Sequence, residues 1–286
     1  MSYVASPIKR TRATADEMGE RREALSDIVF AGRPMTVRQV FYQATIAGIV
    51  EKTEAGYAKV QRALVEMRHS GEIKWEWIAD NTRWQRRLTT FSSPEEALRE
   101  TARFYRKALW VDANDYVEVW LEKDALSGVL TPITYEFDVP LMVTRGYSSV
   151  TFLWNAGSAI QAIGKPAYIY QIGDHDPSGV DAARKIEEGL REFAHGVPIH
   201  FERIAVTPSQ IKDWRLPSRP TKTTDTRSKG FDGESVEVDA IEPGKLRDLV
   251  QTAIERHMPT HQYQLLKAAE ESEREGLLAL HGGKSA

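Results

Sequence analysis

The sequence predicts an α/β chain, α+β overall, in which a helical front module precedes an alternating β/α body. Three observations predict it. Apolar residues recur at helical spacing between residues 36 and 68. Four short apolar runs, at 116–121, 140–144, 167–172 and 199–206, alternate with helical stretches, as in a parallel or mixed sheet with helices packed on it. Acidic residues stand directly after two of those runs.

The 286 residues favour two modest domains or one elaborated one. Hydrophobic residues make up 41% and charged residues 28%, the balance of a soluble globular protein. No apolar run approaches the roughly 20 residues that span a bilayer, and the first residues lack the apolar stretch of a secretory signal. Cysteine is absent, which excludes disulfides, thiol nucleophiles and cysteine-ligated zinc. These features set the expectation of a cytoplasmic, nucleoid-associated protein without a membrane partner. The net charge of −3 argues against a DNA-coating protein. Its distribution is uneven: residues 1–112 hold 19 Lys/Arg against 15 Asp/Glu, and residues 113–286 hold 19 against 26. A mildly basic front and an acidic rear suit a DNA-touching module joined to a metal site, although asymmetry of this size is common.

Residues 1–25 read as a polar arm carrying Lys9, Arg10 and Arg12. Thr36 followed by Gln39 is a capping-box signal, and Val37, Val40, Phe41 and Ala44 continue at helical spacing. A second helix is predicted from about Ala55 to Arg68, with Val60, Ala63, Leu64 and Met67 inward and Gly71 as its stop. Glu72–Ile78 alternates polar and apolar, as a strand or wing does. Helix, helix and wing is the order of a winged-helix module, placed over 26–110 together with a further amphipathic helix at Pro94–Leu109. The β/α body spans 111–214. Residues 215–235, polar and without periodicity, read as a mobile or ligand-ordered loop. In the remaining segment, 236–286, Leu246, Leu249, Val250, Ala253 and Ile254 mark a helix expected to dock on the body.

The segment Tyr168–Val180 is the most informative. An apolar run ends at Gly173, Asp174, His175 and Asp176 follow, and Pro177 sits where a helix begins. Two carboxylates two residues apart on extended chain point the same way. At the C-terminal end of a strand they face the crevice where open α/β sheets bind ligands, and hard oxygens suit magnesium or manganese. The same residues can equally form a turn and cap the next helix. A second acid, Glu122, directly follows the strand Val117–Leu121, with Lys123 and Asp124 after it. A glutamate after one strand and an Asp-x-Asp after a later parallel strand resembles a Toprim domain. That resemblance implies that Glu122, Asp174 and Asp176 gather divalent metal beside a scissile phosphate, with Lys123 as an added point charge or as a plain surface lysine. Glu118 is expected to be an exposed strand residue, and His175 to point away from the aspartates.

On the first predicted helix, Thr36–Tyr42, Tyr42 lies about 150° from the centre of the apolar face, so Phe41 belongs to the core and Tyr42 does not. Arg38 is one turn earlier, within reach of Tyr42, and a guanidinium favours a phenolate. The plain alternative is an exposed tyrosine stacked on a neighbour. Arg-x-x-Phe-Tyr at the start of a winged-helix module resembles the A subunit of topoisomerase VI and the related meiotic double-strand-break protein. The resemblance covers about 25–260 and rests on Val37–Tyr42, Trp120–Ala125, Leu141–Ser149, Ile172–Gly179 and Glu237–Pro243. It implies that Tyr42 attacks a DNA phosphate and becomes linked to the 5′ end, with one protomer's tyrosine serving the other's acids in a homodimer. The segment around Arg145–Ser148 departs from the family's glycine-rich pattern, and the chain is shorter than the cellular subunits. It carries no ATPase region, so it looks like the compact Mini-A form of phages and mobile elements, with a separate ATPase subunit as a candidate partner.

Double-stranded DNA is the expected substrate. Candidate contacts are Lys59 and Arg62 on the second helix, Lys74 and Trp75 on the wing, and Arg83, Arg86, Arg87 and Lys123 at phosphates. Arg219, Lys222, Arg227 and Lys229 are further phosphate candidates. Trp75, Trp77 and Trp84 are expected mainly in the core. Two competing readings remain open: a Toprim hydrolytic nuclease or nickase that does not use Tyr42, and a non-catalytic DNA-binding protein with a vestigial site.

Overall fold

The computed structural model describes residues 15–79, 90–220, 231, 234–258 and 260–282. The chain divides into two compact units, Met1–Ile78 and Ala79–Ala286. This division falls at residue 78, whereas the sequence reading ends its front module at residue 110.

In the first unit α1 (Ala15–Gly32) occupies part of the segment read as a polar arm. Its core contribution is Leu25 and Val29, widely spaced among charges, which explains why the sequence pattern is faint. The helix α2 (Val37–Ile46) begins at the predicted capping box: the Gln39 N–H donates to Thr36 Oγ1 at 3.1 Å, and Gln39 Oε1 accepts from the Thr36 N–H at 2.9 Å. The helix α3 (Glu54–Ser70) buries Val60, Leu64 and Met67 and ends at Gly71 in the left-handed region, φ 79°. The predicted wing strand is instead a 3₁₀ turn at Trp75–Trp77, followed by one parallel bridge between Ile78 and Met35.

The second unit contains α4 (Pro94–Phe104), capped by Ser93, and a four-stranded sheet of β1 (Tyr116–Leu121), β2 (Leu141–Val143), β3 (Ala167–Ile172) and β4 (Ile199–Ala205). All described pairings are parallel, in the order β2-β1-β3-β4. The connections are α5 (Ser127–Glu136), α6 (Val150–Ile163) and α7 (Pro177–Phe193). The chain leaves β1 toward β2 and then returns past β1 to β3. Right-handed crossovers in opposite directions put α5 on one face of the sheet and α6 with α7 on the other. Trp120, Ile169, Leu153, Ile160, Ile186 and Leu190 form the core under α6 and α7. The other face receives α9 (Pro243–Glu255), which packs against α5 and β4. Its end is tied down where His257 Nε2 meets Tyr170 Oη at 2.7 Å and His257 Nδ1 meets Asp115 Oδ2 at 2.7 Å. The short α8 (Pro208–Asp213) follows β4, and the last helix, α10 (Thr260–Gly282), packs on α4.

One further expectation changes. Glu118 is 2% exposed, not an exposed strand residue. The strand β1 is an inner strand covered on both faces, so alternation leaves it no solvent side. Its carboxylate accepts from Tyr116 Oη at 2.8 Å and Trp120 Nε1 at 2.7 Å, and burial pushes it above the ordinary glutamate value despite both donors. The segment expected as a mobile loop is anchored at both ends by an antiparallel bridge between Arg219 and Ser235. Residues 221–230, with Lys222, Arg227 and Lys229, lie outside the described residues, as do Arg83, Trp84, Arg86 and Arg87. Among the described residues no helix is long and apolar enough to cross a membrane.

Candidate functional site

The strand order reverses between β1 and β3, and ligand crevices form outside the carboxyl ends of strands at such a switch point. Leu121 and Ile172 are register partners, so Glu122 and Gly173 leave the sheet side by side. Glu122 Oε2 accepts the Asp174 N–H at 3.0 Å. Asp174 Oδ1 accepts the Val238 N–H at 2.8 Å and lies 2.9 Å from Lys123 Nζ. Asp176 Oδ1 accepts the Gly179 N–H at 2.8 Å, making Asp176 the N-cap of α7. Turn-and-cap geometry and the acidic crevice thus coexist in the same residues. Each of the three carboxylates has one oxygen fixed by a backbone N–H, which orients the second.

Two glycines make this approach possible. A Cβ at Gly173 would lie 2.4 Å from Glu122 Oε2, and one at Gly179 would lie 2.3 Å from the Asp174 carbonyl oxygen. The glycines of the Gly-Asp-His-Asp-Pro-Ser-Gly run are required by contact rather than by dihedral angle.

Lys123 is neither on the surface nor free for phosphate. Its ammonium sits among Asp239 Oδ2 at 2.7 Å, Asp174 Oδ1 at 2.9 Å and Glu237 Oε2 at 3.2 Å. Burial alone would lower it, but the charges of Asp239, Asp174 and Glu237 hold it above the ordinary lysine value. Burial likewise raises the Glu122 and Asp174 carboxyls. For Glu122 the Asp174 charge adds to the rise, while the Asp174 N–H and Lys123 oppose it. For Asp174, Lys123 and the Val238 N–H oppose it.

Sequence reasoning missed three of these residues. Arg203 on β4 donates from Nη1 to the Gly179 carbonyl at 3.1 Å and from Nη2 to the carbonyls of Gly173, at 3.0 Å, and Asp174. It clamps the loop that carries both aspartates. Burial lowers it, and the charges of Glu122, Asp174 and Asp176 oppose that. Glu237 and Asp239 come from a buried segment just before α9, joined to the loop by paired backbone bonds between Val236 and His175. The acidic run around 237–239 was visible, but its closure on Lys123 depends on a contact spanning more than a hundred positions. The His175 ring faces Phe231 at 5.0 Å, and burial with the Arg203 charge keeps it below the ordinary histidine value. Arg219 pairs with Glu237 at 3.4 Å.

Among the described residues no three carboxylate or imidazole groups converge to hold an ion by themselves. Magnesium is ordinarily held otherwise, by one or two carboxylates with water and substrate phosphate completing the shell. Glu122 and Asp174, neighbours through the Asp174 N–H, and Asp176 two residues on, are hard oxygen donors of the kind that mode uses. A separate cleft of about 430 Å³ opens beside β4, α8 and α9, lined by Thr207, Gln210, Trp214 and Lys245 among others. None of the three acids lines it.

Tyr42 lies in the first unit and corrects another expectation: it is 5% exposed. The helix α2 is packed by both α1 and α3, so the side opposite its main apolar stripe is covered as well. The Tyr42 ring lies 5.5 Å from that of Phe41, and the Lys52 ammonium stands 5.4 Å from its centroid. The Arg38 guanidinium lies 5.7 Å from the Tyr57 ring. Lys59, Arg62 and Lys74 are exposed as expected. Trp75 is 55% exposed rather than in the core, and Trp77 is half-buried.

Compared with models of protein families and with curated protein sequences, the chain matches none.

Proposed function

We propose that this protein cleaves DNA phosphodiesters in a divalent-metal-dependent reaction at the crevice formed by Glu122, Asp174 and Asp176. One observation carries the reading: three carboxylates follow the carboxyl ends of two adjacent parallel strands at the switch point, each oriented by a backbone N–H. The layout supports a Toprim-like body behind a winged-helix-like front module, although a 3₁₀ turn stands where the wing would be.

The metal, magnesium or manganese, would neutralise charge on the phosphate and assist the leaving 3′ oxygen. Glu122, Asp174 and Asp176 would hold it. Arg203 keeps the aspartate loop in place through its carbonyl oxygens, and Lys123 fixes the orientation of Asp174. The resemblance to topoisomerase VI A subunits supplies Tyr42 as nucleophile: its oxygen bonds to phosphorus as the bond from phosphorus to the 3′ oxygen breaks, one protomer's tyrosine serving the other's acids in a homodimer, with the Lys52 ammonium beside the Tyr42 ring and Arg38 one turn earlier on α2. ATP-driven strand passage would need a separate ATPase subunit. A second reading, hydrolysis by water, is favoured by the burial of Tyr42, which must be uncovered before it can attack.

Supercoiled plasmid incubated with protein and magnesium or manganese, with and without protease before electrophoresis, tests both. We expect nicked or linear product that Asp174→Asn abolishes. Protein-linked ends lost in Tyr42→Phe select transesterification. Unlinked ends with undiminished cutting by Tyr42→Phe select hydrolysis. Cutting by Asp174→Asn at the wild-type rate would sink the proposal.

A further inference from the structure

Trp75 has no place in the chemistry above, and its surroundings are unusual for a surface tryptophan. It starts the 3₁₀ turn directly after the exposed Lys74, where α3 has ended in Arg68, His69, Ser70 and Gly71. The Arg68 guanidinium carbon lies 4.8 Å from the centre of its ring, and the His69 ring meets it edge-on at 5.2 Å and 90°. Arg68 is itself steered by the main chain, its Nε donating to the Leu64 carbonyl at 3.2 Å. Trp77, two residues on, is half-buried and meets Phe30 edge-on, ring centroids 5.8 Å apart. One indole is thus half-buried and the other more than half exposed, braced by a cation and an imidazole.

Among the described residues neither Arg68 nor Lys74 makes an ion pair. The nearby Glu72 carboxylate is engaged by Arg22 at 2.5 Å and by Ser70 at 2.6 Å, which leaves Glu76 as the one exposed acid within the turn. An open π-surface flanked by two cations is complementary to a nucleobase with its phosphate. Inside a duplex both faces of a base are already stacked, so only an unpaired base can reach such a surface.

From this geometry we infer that Trp75, braced by Arg68 and His69, is a stacking platform for an unpaired base of DNA, with Lys74 taking an adjoining phosphate. The inference rests on the reading of DNA as substrate and adds that the front module grips melted or single-stranded DNA.

The test is fluorescence anisotropy of the full chain with labelled oligonucleotides in chelator, so that no cleavage intervenes. The probes are a single-stranded oligothymidine, a blunt duplex and the same duplex with a bulge. Trp75→Ala should weaken single-strand and bulge binding roughly tenfold while leaving blunt-duplex binding within about twofold, from the ordinary worth of one stacked base. Trp75→Phe should restore most of the loss, and Arg68→Gln should show a smaller loss with the same selectivity. Equal loss on all three probes, or no loss on the single strand, overturns the platform. If the wild type binds none of the probes, the DNA reading fails as well, whereas selective binding unaffected by Trp75→Ala removes the platform alone.

Discussion

Two charge clusters in the second unit are built as opposites. At one, the Lys123 ammonium is surrounded by Asp174, Glu237 and Asp239. At the other, the Glu270 carboxylate, 2% exposed, accepts from Arg106 Nη1 at 3.1 Å, the Lys107 N–H at 3.0 Å, Lys267 Nζ at 3.0 Å and Arg274 Nη2 at 2.9 Å. Two of the four cations around Glu270 have further partners: Lys107 reaches Glu273 at 2.6 Å and Arg274 reaches Glu271 at 2.8 Å. That cluster closes on itself and pins α10 to the segment after α4. Around Lys123 the surplus is negative, and Glu122 and Asp176 at the same crevice increase it. A cluster of four cations and three carboxylates, within one charge of balance, is a clamp. One left with excess negative charge beside a crevice has capacity for a cation.

The largest expected effect breaks the first cluster. Lys123→Met removes the one ammonium among three carboxylates and should cost about 3–5 kcal/mol, the usual penalty for orphaning buried charge. Urea denaturation measures it. If the crevice accepts a divalent cation, magnesium should recover more stability in Lys123→Met than it adds to the wild type. Equal responses in the two proteins, or a cost below about 1 kcal/mol, would mean that Lys123 is not what balances the acids.

Breaking the second cluster should cost less and behave differently. Glu270→Gln keeps the shape and some hydrogen bonds but loses the charge, at about 2–3 kcal/mol, with no recovery in magnesium. The pH dependence has a definite sign. The hydrogen bonds from Lys267, the Lys107 N–H and Arg106 outweigh the opposing effect of burial and lower Glu270 from 4.5 to about 2. A lowered folded-state value contributes stability that is fully present above pH 4.5 and is lost as pH falls through about 2. The gap between wild type and Glu270→Gln should therefore be full at neutral pH and narrow steadily below pH 4.5. A gap independent of pH would show that the clamp does not depend on the charge.

How far this was legible in the sequence follows the same physics. All four strands lay within a residue or two of their expected positions, because short apolar runs bounded by turn residues mark buried parallel strands. Glu122, Asp174 and Asp176 could be placed for the same reason: Glu122 directly follows β1, and the two aspartates lie in the turn just after β3. What local periodicity cannot supply is the number of neighbours an element will have. Tyr42 and Glu118 were both assigned to solvent by alternation or helical phase. Both are buried because α2 and β1 are packed on two sides. Trp75 erred in the other direction: an apolar side chain in an alternating run was expected inside, but the run is a 3₁₀ turn in which no residue is fully buried. The roles of Arg203, Glu237 and Asp239 were not legible, although the acidic run around 237–239 was, because those roles come from contacts distant in the chain.

The smallest expected effect separates exposed cations from caged ones. Lys59 and Arg62 stand on the solvent side of α3, and Lys123 is enclosed by carboxylates. A cation that neutralises a phosphate on binding releases a condensed counterion, so removing it lowers the salt slope of DNA affinity by about one. Lys59→Gln and Arg62→Gln should each reduce that slope by about one while weakening binding only a few-fold near physiological salt. Lys123→Gln, assayed in chelator, should leave the slope unchanged, because its ammonium is already neutralised by Asp174, Glu237 and Asp239 and releases nothing when DNA arrives. A slope that falls for Lys123→Gln would mean that the cage opens on DNA and hands its lysine to a phosphate. An unchanged slope for both α3 variants would move the DNA-binding face of the front module away from α3.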